Sequence, residues 1–259
     1  MPSIHQVLIA CETAYSRCFS RVFEDAQRLR FRNPDIPDMY DHNYTYIKQS
    51  AADAVEDILR QERTFCEAES LGFCKVSADF PLPDTLHGAE LETLGYYVYT
   101  GRDNRVPTPA CTIQKVSSLT MVDALYRMDV AADGARLGED FCRRRAYGRG
   151  KVYLQPGLVD SYLCFLGNRV IGSCDLFIAD STAKIEDFGV VPAMRGKGYG
   201  TALLYRLIDI AAENGASVIY LTTDEDDTAK DMYLKRGFEK VGEKYAVLLR
   251  TEPVIQDDF

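Results

Sequence analysis

No two of the eight cysteines stand at CxxC spacing, and none joins a histidine in a metal-binding pattern. That excludes a zinc-ribbon or finger-like centre, so no metal is expected. Long apolar runs are missing too. Stretches such as "ASVIYL" (Ala216 to Leu221) fall far short of the roughly 20 residues a bilayer-spanning helix needs, so no membrane association is expected. The opening "MPSIHQVLIACETAYSR" lacks a basic leader, and no signal peptide is read there. Basic charge is scarce: 30 Lys and Arg face 39 Asp and Glu, for a net charge of −9. That argues against nucleic acid as a partner and suits a cationic small molecule. The three histidines, His5, His42 and His87, all lie in the first 110 residues and read as structural or surface groups. The rest of the chain has no imidazole to use as a base.

What is present fits a folded protein. Apolar residues make up 46% of the chain, enough for a packed core, and 259 residues allow one large domain or two ordinary ones. Several cysteines sit inside strand-like apolar runs, as in "YLCFLG" and "GFCKVS". These read as buried, reduced thiols in a cytoplasmic protein. A disulfide or redox role for Cys11 and Cys18 is the other reading. The polar, proline-bearing "TGRDNRVPTPACT" (Thr100 to Thr112) reads as a linker, dividing the chain into residues 1–110 and 111–259.

The second piece reads clearly. "CTIQKVSS" predicts a strand, and "TMVDALYRMDVAADGARLGEDFCRRRAYG" one or two helices. "DSYLCFLGNRVIGSCDLFIAD" predicts two strands about the turn Gly167-Asn168. "AKIEDFGVVP" predicts a strand stopped by Pro192, which cannot donate to a ladder. Residues 199–213 predict a helix with Leu203, Leu207, Ile210 and Ala211 on one face, closed by Gly215. "ASVIYLTTD" predicts a buried strand. Asp226 or Asp227 is expected to cap a short helix ending before Gly237, and "FEKVGEKYAVLLR" to form a closing hairpin.

The first piece carries a faint copy of this ending. "VEDILRQERTFCEAESLGFCKVSADF" predicts helix, glycine, strand, as "LLYRLIDIAAENGASVIYLTTD" does. A second helix and a Gly-aromatic pair are then expected in both, at "LETLGYY" and "YLKRGFE". We read this as an internal duplication. Where the original has a glycine turn, the copy reads "YIKQSAADAVED".

That turn is "VVPAMRGKGYG", Val190 to Gly200. A strand running through glycines into a helix suits phosphate. The first N–H groups of a helix have no internal partner, and its dipole makes that end positive. Glycines let the backbone approach an anion, and Arg195 and Lys197 add charge. Neither GxxxxGK[ST] nor GxGxxG is spelled here. What remains is R-x-x-G-x-G: Arg195, Gly198, Gly200.

With "TALL" following, this stretch resembles the acetyl-CoA signature of the GNAT superfamily of N-acetyltransferases. "DDTAKDMYLKRGFEKVG" resembles that family's later segment, and the likeness runs from about residue 111 to 250 in element order. The resemblance implies an α+β fold of two GNAT-like domains, each a mixed sheet flanked by helices, the first degenerate and without a cofactor loop. It implies that Val190, Val191, Arg195, Gly196, Lys197, Gly198, Tyr199, Gly200 and Thr201 hold acetyl-CoA, the co-substrate. The turn amides would take the pyrophosphate and the strand before it the pantetheine arm. Many members have Asn where Asp226 stands, a change that could weaken cofactor binding or simply cap the helix.

Acetyl transfer to an amine needs a base, because an ammonium near pKa 10 has no lone pair, and profits from an acid for the departing thiolate. Alternation predicts Glu186 and Asp187 on opposite faces of their strand. "IEDF" resembles spermidine/spermine-type members, which implies Glu186 as the base, its pKa raised by burial; Asp187, Asp224 and Glu225 are substitutes. The family's Tyr before Gly-Phe implies Tyr233 as the acid, a role compatible with core packing on the face it shares with Ala229 and Met232. Tyr40, Tyr44 and Tyr46 would suit the face of a cation, or simply pack as a strand. The expected activity is direct acetyl transfer from acetyl-CoA to a primary amine of a small, polyamine-like or otherwise cationic molecule, within a ternary complex. No cysteine stands in a nucleophile setting that would favour an acetyl-enzyme. The alternatives are a non-catalytic acyl-CoA sensor or interaction module, and a mononucleotide or NAD binder.

Overall fold

The computed structural model describes residues 2–69, 71–83, 88–102 and 105–250. Chain contacts separate two compact units. One comprises Met1–Phe19, Tyr97–Thr222 and Thr228–Val241; the other comprises Ser20–Tyr96, Thr223–Asp227 and Gly242–Phe259. The units do not follow the expected cut at 110/111. The first helix belongs with the later residues, and the last strand belongs with the earlier ones. A linear reading sees adjacency along the chain, whereas sheets are completed by whichever strand fits beside them.

In the unit that begins at Ser20, the strands are β1 (Arg21–Glu24), β2 (Arg28–Arg32), β3 (Thr45–Ile47), β4 (Phe73–Ala78) and, as far as Tyr96, β5 (Glu90–Tyr99), joined by the chain's last strand from Gly242 on. That last strand, Phe238–Arg250, is numbered β11. The order is β1-β2-β3-β4-β11-β5. β3 and β4 are parallel, and their crossover carries the helix Val55–Ala68, the second of the chain. β11 pairs antiparallel with β4 from Tyr245↔Ala78 to Arg250↔Phe73. Two expectations fail here. "LETLGYY" is not helical but lies in β5, where the run Tyr-Tyr-Val-Tyr prefers a pleated surface. "FEKVGEKYAVLLR" is one unbroken strand of 13 residues, not a hairpin, because its ladder with β4 runs straight through the second half.

The core of this unit has a charged centre. Alternate residues of β2 put Arg28, Arg30 and Arg32 on one side. The fully buried Glu62 accepts from Arg28 at 2.6 Å, from Arg30 at 2.6 Å and from the Thr45 hydroxyl at 2.7 Å. Tyr40 and Tyr44 do not present open faces: Arg250 stands over one and Lys244 over the other. The Tyr46 hydroxyl donates to Asp79 at 2.6 Å. His42 is buried, and His87 lies outside the described residues.

In the other unit, α1 (Ile4–Phe19) leads, α2 being the crossover helix already given. Then come β6 (Thr112–Lys115), α3 (Leu119–Leu137), α4 (Glu139–Tyr153), β7 (Val159–Leu166), β8 (Arg169–Ala179), β9 (Thr182–Val190), α5 (Tyr199–Glu213), β10 (Val218–Asp224) and α6 (Ala229–Lys235). The strand order is β10-β9-β8-β7-β6. β9 and β10 are parallel and the others antiparallel, so this sheet is mixed. Ser118 caps α3, its side chain accepting from Met121 N–H. α5 covers the expected residues and buries Leu203, Leu207, Ile210 and Ala211. Each of the leucines and the isoleucine contributes about 1.5–3 kcal/mol by leaving water, and the alanine methyl about 0.8 kcal/mol. Gly215 has φ 82°, as a helix-closing residue should. Neither Asp226 nor Asp227 caps α6. Thr228 holds the cap position without a side-chain bond, and Asp224 Oδ1 accepts from Asp226 N–H at 2.9 Å.

Candidate active site

β9 ends where Pro192 opens a short 3₁₀ turn, Pro192–Met194. The chain then passes Arg195 in extended geometry, Gly196 at φ 71°, Lys197, and Gly198 at φ 87°, where α5 begins. Left-handed glycines separated by one residue suit a turn whose successive N–H groups can converge on an anion. α5 has no side-chain cap, so no cap side chain takes its first amides. A Cβ on Gly196 would meet nothing within 4 Å, so the left-handed backbone, not crowding, demands glycine there. At Gly198 a Cβ would also come 3.0 Å from Pro109.

The two cations of the turn are tied to it. Arg195 Nε donates to Val190 O at 2.9 Å, and Lys197 Nζ donates to Ala193 O at 2.9 Å. Positive charge is therefore held beside amides already positive at the helix end. An anion such as a diphosphate fits this donor set.

β9 also opens. Its parallel pairing with β10 runs from Thr182↔Val218 to Ile185↔Leu221 and stops, while β9 continues to Val190. On its other side β9 stays paired with β8, through Gly189↔Ser173 and Val190↔Gly172. The backbone of Glu186 to Val190 is thus free of β10 on one edge, among the described residues. Such an edge can accept an extended amide-bearing ligand as an added strand. Gly172 permits the close pairing on the β8 side: a Cβ there would lie 2.8 Å from Gly189 O.

Opposite Cys174, β9 carries one residue too many: Ser173 pairs with Gly189, but Asp175 pairs with Glu186. This is a β-bulge, and Asp187 within it has φ 50°. The expectation that Glu186 and Asp187 face opposite sides is therefore not met. Glu186 lies on the side of Lys184 and Asp175, and the bulge brings Asp187 to Arg149, which also binds Asp175. Alternation holds only for a regular strand.

A buried polar network stands behind these two carboxylates. Arg149 of α4 donates to Asp175 Oδ2 at 2.7 Å. Tyr153 donates to the same oxygen at 2.9 Å, and Tyr15 of α1 at 3.3 Å. Burial pushes the Asp175 carboxyl up to about 7. Lys184 pairs with Glu12 of α1 at 2.5 Å and with Glu186 at 2.8 Å. Tyr220 donates to Glu12 at 2.9 Å. Four carboxylates thus meet two cations, so the cluster carries excess negative charge. None of Glu12, Arg149, Asp175 or Lys184 was singled out from the sequence. The one available signal was Lys184 itself, a cation at an inward position of a strand whose neighbours are Ala183 and Ile185.

Tyr233 lies in α6 and is buried, with its ring edge-on to Phe188 of β9 at 6.2 Å and to Phe238 at 6.0 Å. Phe188 in turn stands 3.4 Å from the ideal Cβ position of Gly200. The aromatic group therefore bridges the opened strand, the glycine turn and α6. All eight cysteines are free thiols; burial pushes Cys11 up to about 11 and also raises Cys18. Among the described residues no His, Cys, Asp and Glu group could hold a metal, and no helix is long and apolar enough to cross a membrane.

Comparison with known proteins bears on the same region. Residues 135–238 match the model of the acetyltransferase (GNAT) family. The chain is 24% identical over 219 residues to the uncharacterized N-acetyltransferase CgeE of Bacillus subtilis, covering 83% of this chain and 76% of that protein. It is 28% identical over 93 residues to the ribosomal protein bS18-alanine N-acetyltransferase of Haemophilus influenzae, covering 36% of this chain and 60% of that one. A GCN5-related N-acetyltransferase from Kribbella flavida superposes with a TM-score of 0.70 at 15% identity, over 98% of each chain.

Proposed function

We propose that residues 135–238, which match the acetyltransferase (GNAT) family model, act as an acetyltransferase domain, and that the chain moves the acetyl group of acetyl-CoA to a primary amine of a small cationic molecule. One observation carries this reading: the left-handed glycine turn at the head of α5 directly follows the stretch of β9 that has left β10. In this reading the amides from Gly196 to Thr201 grip the diphosphate, with Arg195 and Lys197 adding charge. Val190 and Val191 lie on the path of the pantetheine arm. Backbone N–H groups there take the developing oxyanion. Glu186 removes the amine proton, directly or through water, and Tyr233 returns one to the thiolate. The excess negative charge around Glu186 and Asp187 favours an acceptor that arrives as a cation. Eight free thiols suit a cytoplasmic setting.

We also read the unit beginning at Ser20 as a degenerate copy of the acetyltransferase half. Both contain a parallel strand-helix-strand crossover, β3-α2-β4 and β9-α5-β10. The copy replaces the glycine turn by a 3₁₀ segment, Gln49–Ala54, which contains no glycine.

The test is calorimetry with CoA, followed by thiol release with spermidine, kanamycin, lysine and an alanine-ended peptide as acceptors. Glu186→Gln and Tyr233→Phe should each lower kcat about 100-fold while KM for acetyl-CoA stays within about two-fold. Tight CoA binding with no amine acetylated would instead favour a sensor.

A further inference from the structure

Lys184 occupies an unusual place. Its side chain is 5% exposed, and it lies in β9 two residues before Glu186. Its ammonium touches Glu12 at 2.5 Å and Glu186 Oε2 at 2.8 Å, and stands 4.6 Å from the Tyr15 ring centre. Burial opposes its charge, but Glu12 and Glu186 outweigh that and hold its pKa above the ordinary lysine value. The Tyr220 hydroxyl fixes Glu12 in turn.

Glu186 is divided by this contact. Oε2 is buried against the ammonium, yet the side chain as a whole keeps 31% of its surface. That surface belongs to the rest of the side chain, since Oε2 itself is buried. A carboxylate on a solvated strand would rotate freely about its last torsion. Pairing one oxygen with a buried cation restricts that torsion, on the stretch of β9 that β10 has left. Stability alone is a poor reason for the arrangement, since a buried ion pair is often matched or bettered by apolar side chains of similar volume.

We infer that Lys184, seated on Glu12 of the N-terminal helix, is a positioning residue that clamps one oxygen of Glu186 and aims the other at the acceptor amine. The inference rests on the reading of Glu186 as the base. It gives α1, which lies outside the family match, a part in the chemistry without touching a substrate.

The experiment uses the full chain and the four amines named above, taking the fastest acceptor. Lys184→Met combined with Glu12→Gln removes both buried charges and leaves no orphan between them. It should lower kcat about 10- to 100-fold, as small misplacements of a reacting group do. KM for acetyl-CoA and the CoA affinity should stay within about two-fold. Added to Glu186→Gln, the same pair should cost less than about two-fold more, because the group it aims is already gone. Lys184→Arg, which keeps the charge, should retain most of kcat. Equal losses with and without Glu186, or a loss carried by KM for acetyl-CoA, would overturn the inference while leaving the base assignment intact. A Glu186→Gln enzyme of undiminished kcat overturns the base assignment and this inference with it. Absence of turnover on all four amines overturns the proposed function and, again, this inference.

Discussion

Single residues divide into those whose backbone demands them and those whose surroundings do. Gly198 is of the first kind. At φ 87°, with Pro109 at 3.0 Å from a built Cβ, alanine would be strained and crowded. Gly198→Ala should cost about 1–2 kcal/mol of stability and weaken CoA about tenfold, read by urea melts and calorimetry. Asp129 is of the second kind. It is buried 3.1 Å from Arg145, and burial raises its carboxyl to about 6 from 3.8. A raised pKa means the folded state holds the proton more tightly, so this stability is complete below about pH 3.8 and is lost as pH climbs through about 6. Parent and Asp129→Asn should therefore diverge on going from pH 4 to pH 8, the parent losing about 1–3 kcal/mol relative to the variant in denaturant midpoints. The glycines of the turn could be read directly, because glycine takes a left-handed backbone at no steric cost and other residues adopt it only rarely. Asp129 could not, because its environment comes from α4, and no spacing along the chain announces it.

At the scale of elements, β8 and β9 hold the site open by staying together on one side only. Gly172→Ala would put a methyl group 2.8 Å from the Gly189 carbonyl and push the two strands apart. We expect a loss of about 1–3 kcal/mol in urea unfolding, together with weaker CoA binding measured by calorimetry. The helix α5 and the strand before it were legible, because an apolar stripe of period 3.6 and a closing proline are local signals. The bulge at Asp187 was not. It is a mismatch between two strands, and neither strand shows it alone. The same holds for β5, where a sequence passable as helix became a strand once a partner was beside it.

At the scale of the molecule, the two compact units exchange chain ends. Residues 111–259 contain every proposed site residue, yet α1 supplies Glu12 and Tyr15 to their buried network. The final strand of that fragment pairs with β4, which the fragment lacks. Expressed alone, residues 111–259 should fail to fold, giving poor solubility and collapsed amide dispersion by NMR, whereas the full chain stays ordered. A compact, CoA-binding fragment would refute this. The chain itself dictated what local chemistry can dictate: a phosphate-ready turn at a helix head, most of the elements around it, and a tyrosine ahead of Gly-Phe. Only the tertiary structure decided that Asp187 turns to Arg149, that Lys184 divides the two oxygens of Glu186, and that the first helix stands behind the site. Those outcomes depend on contacts between residues up to about 210 positions apart, and such contacts carry energy only after the sheet has brought them together.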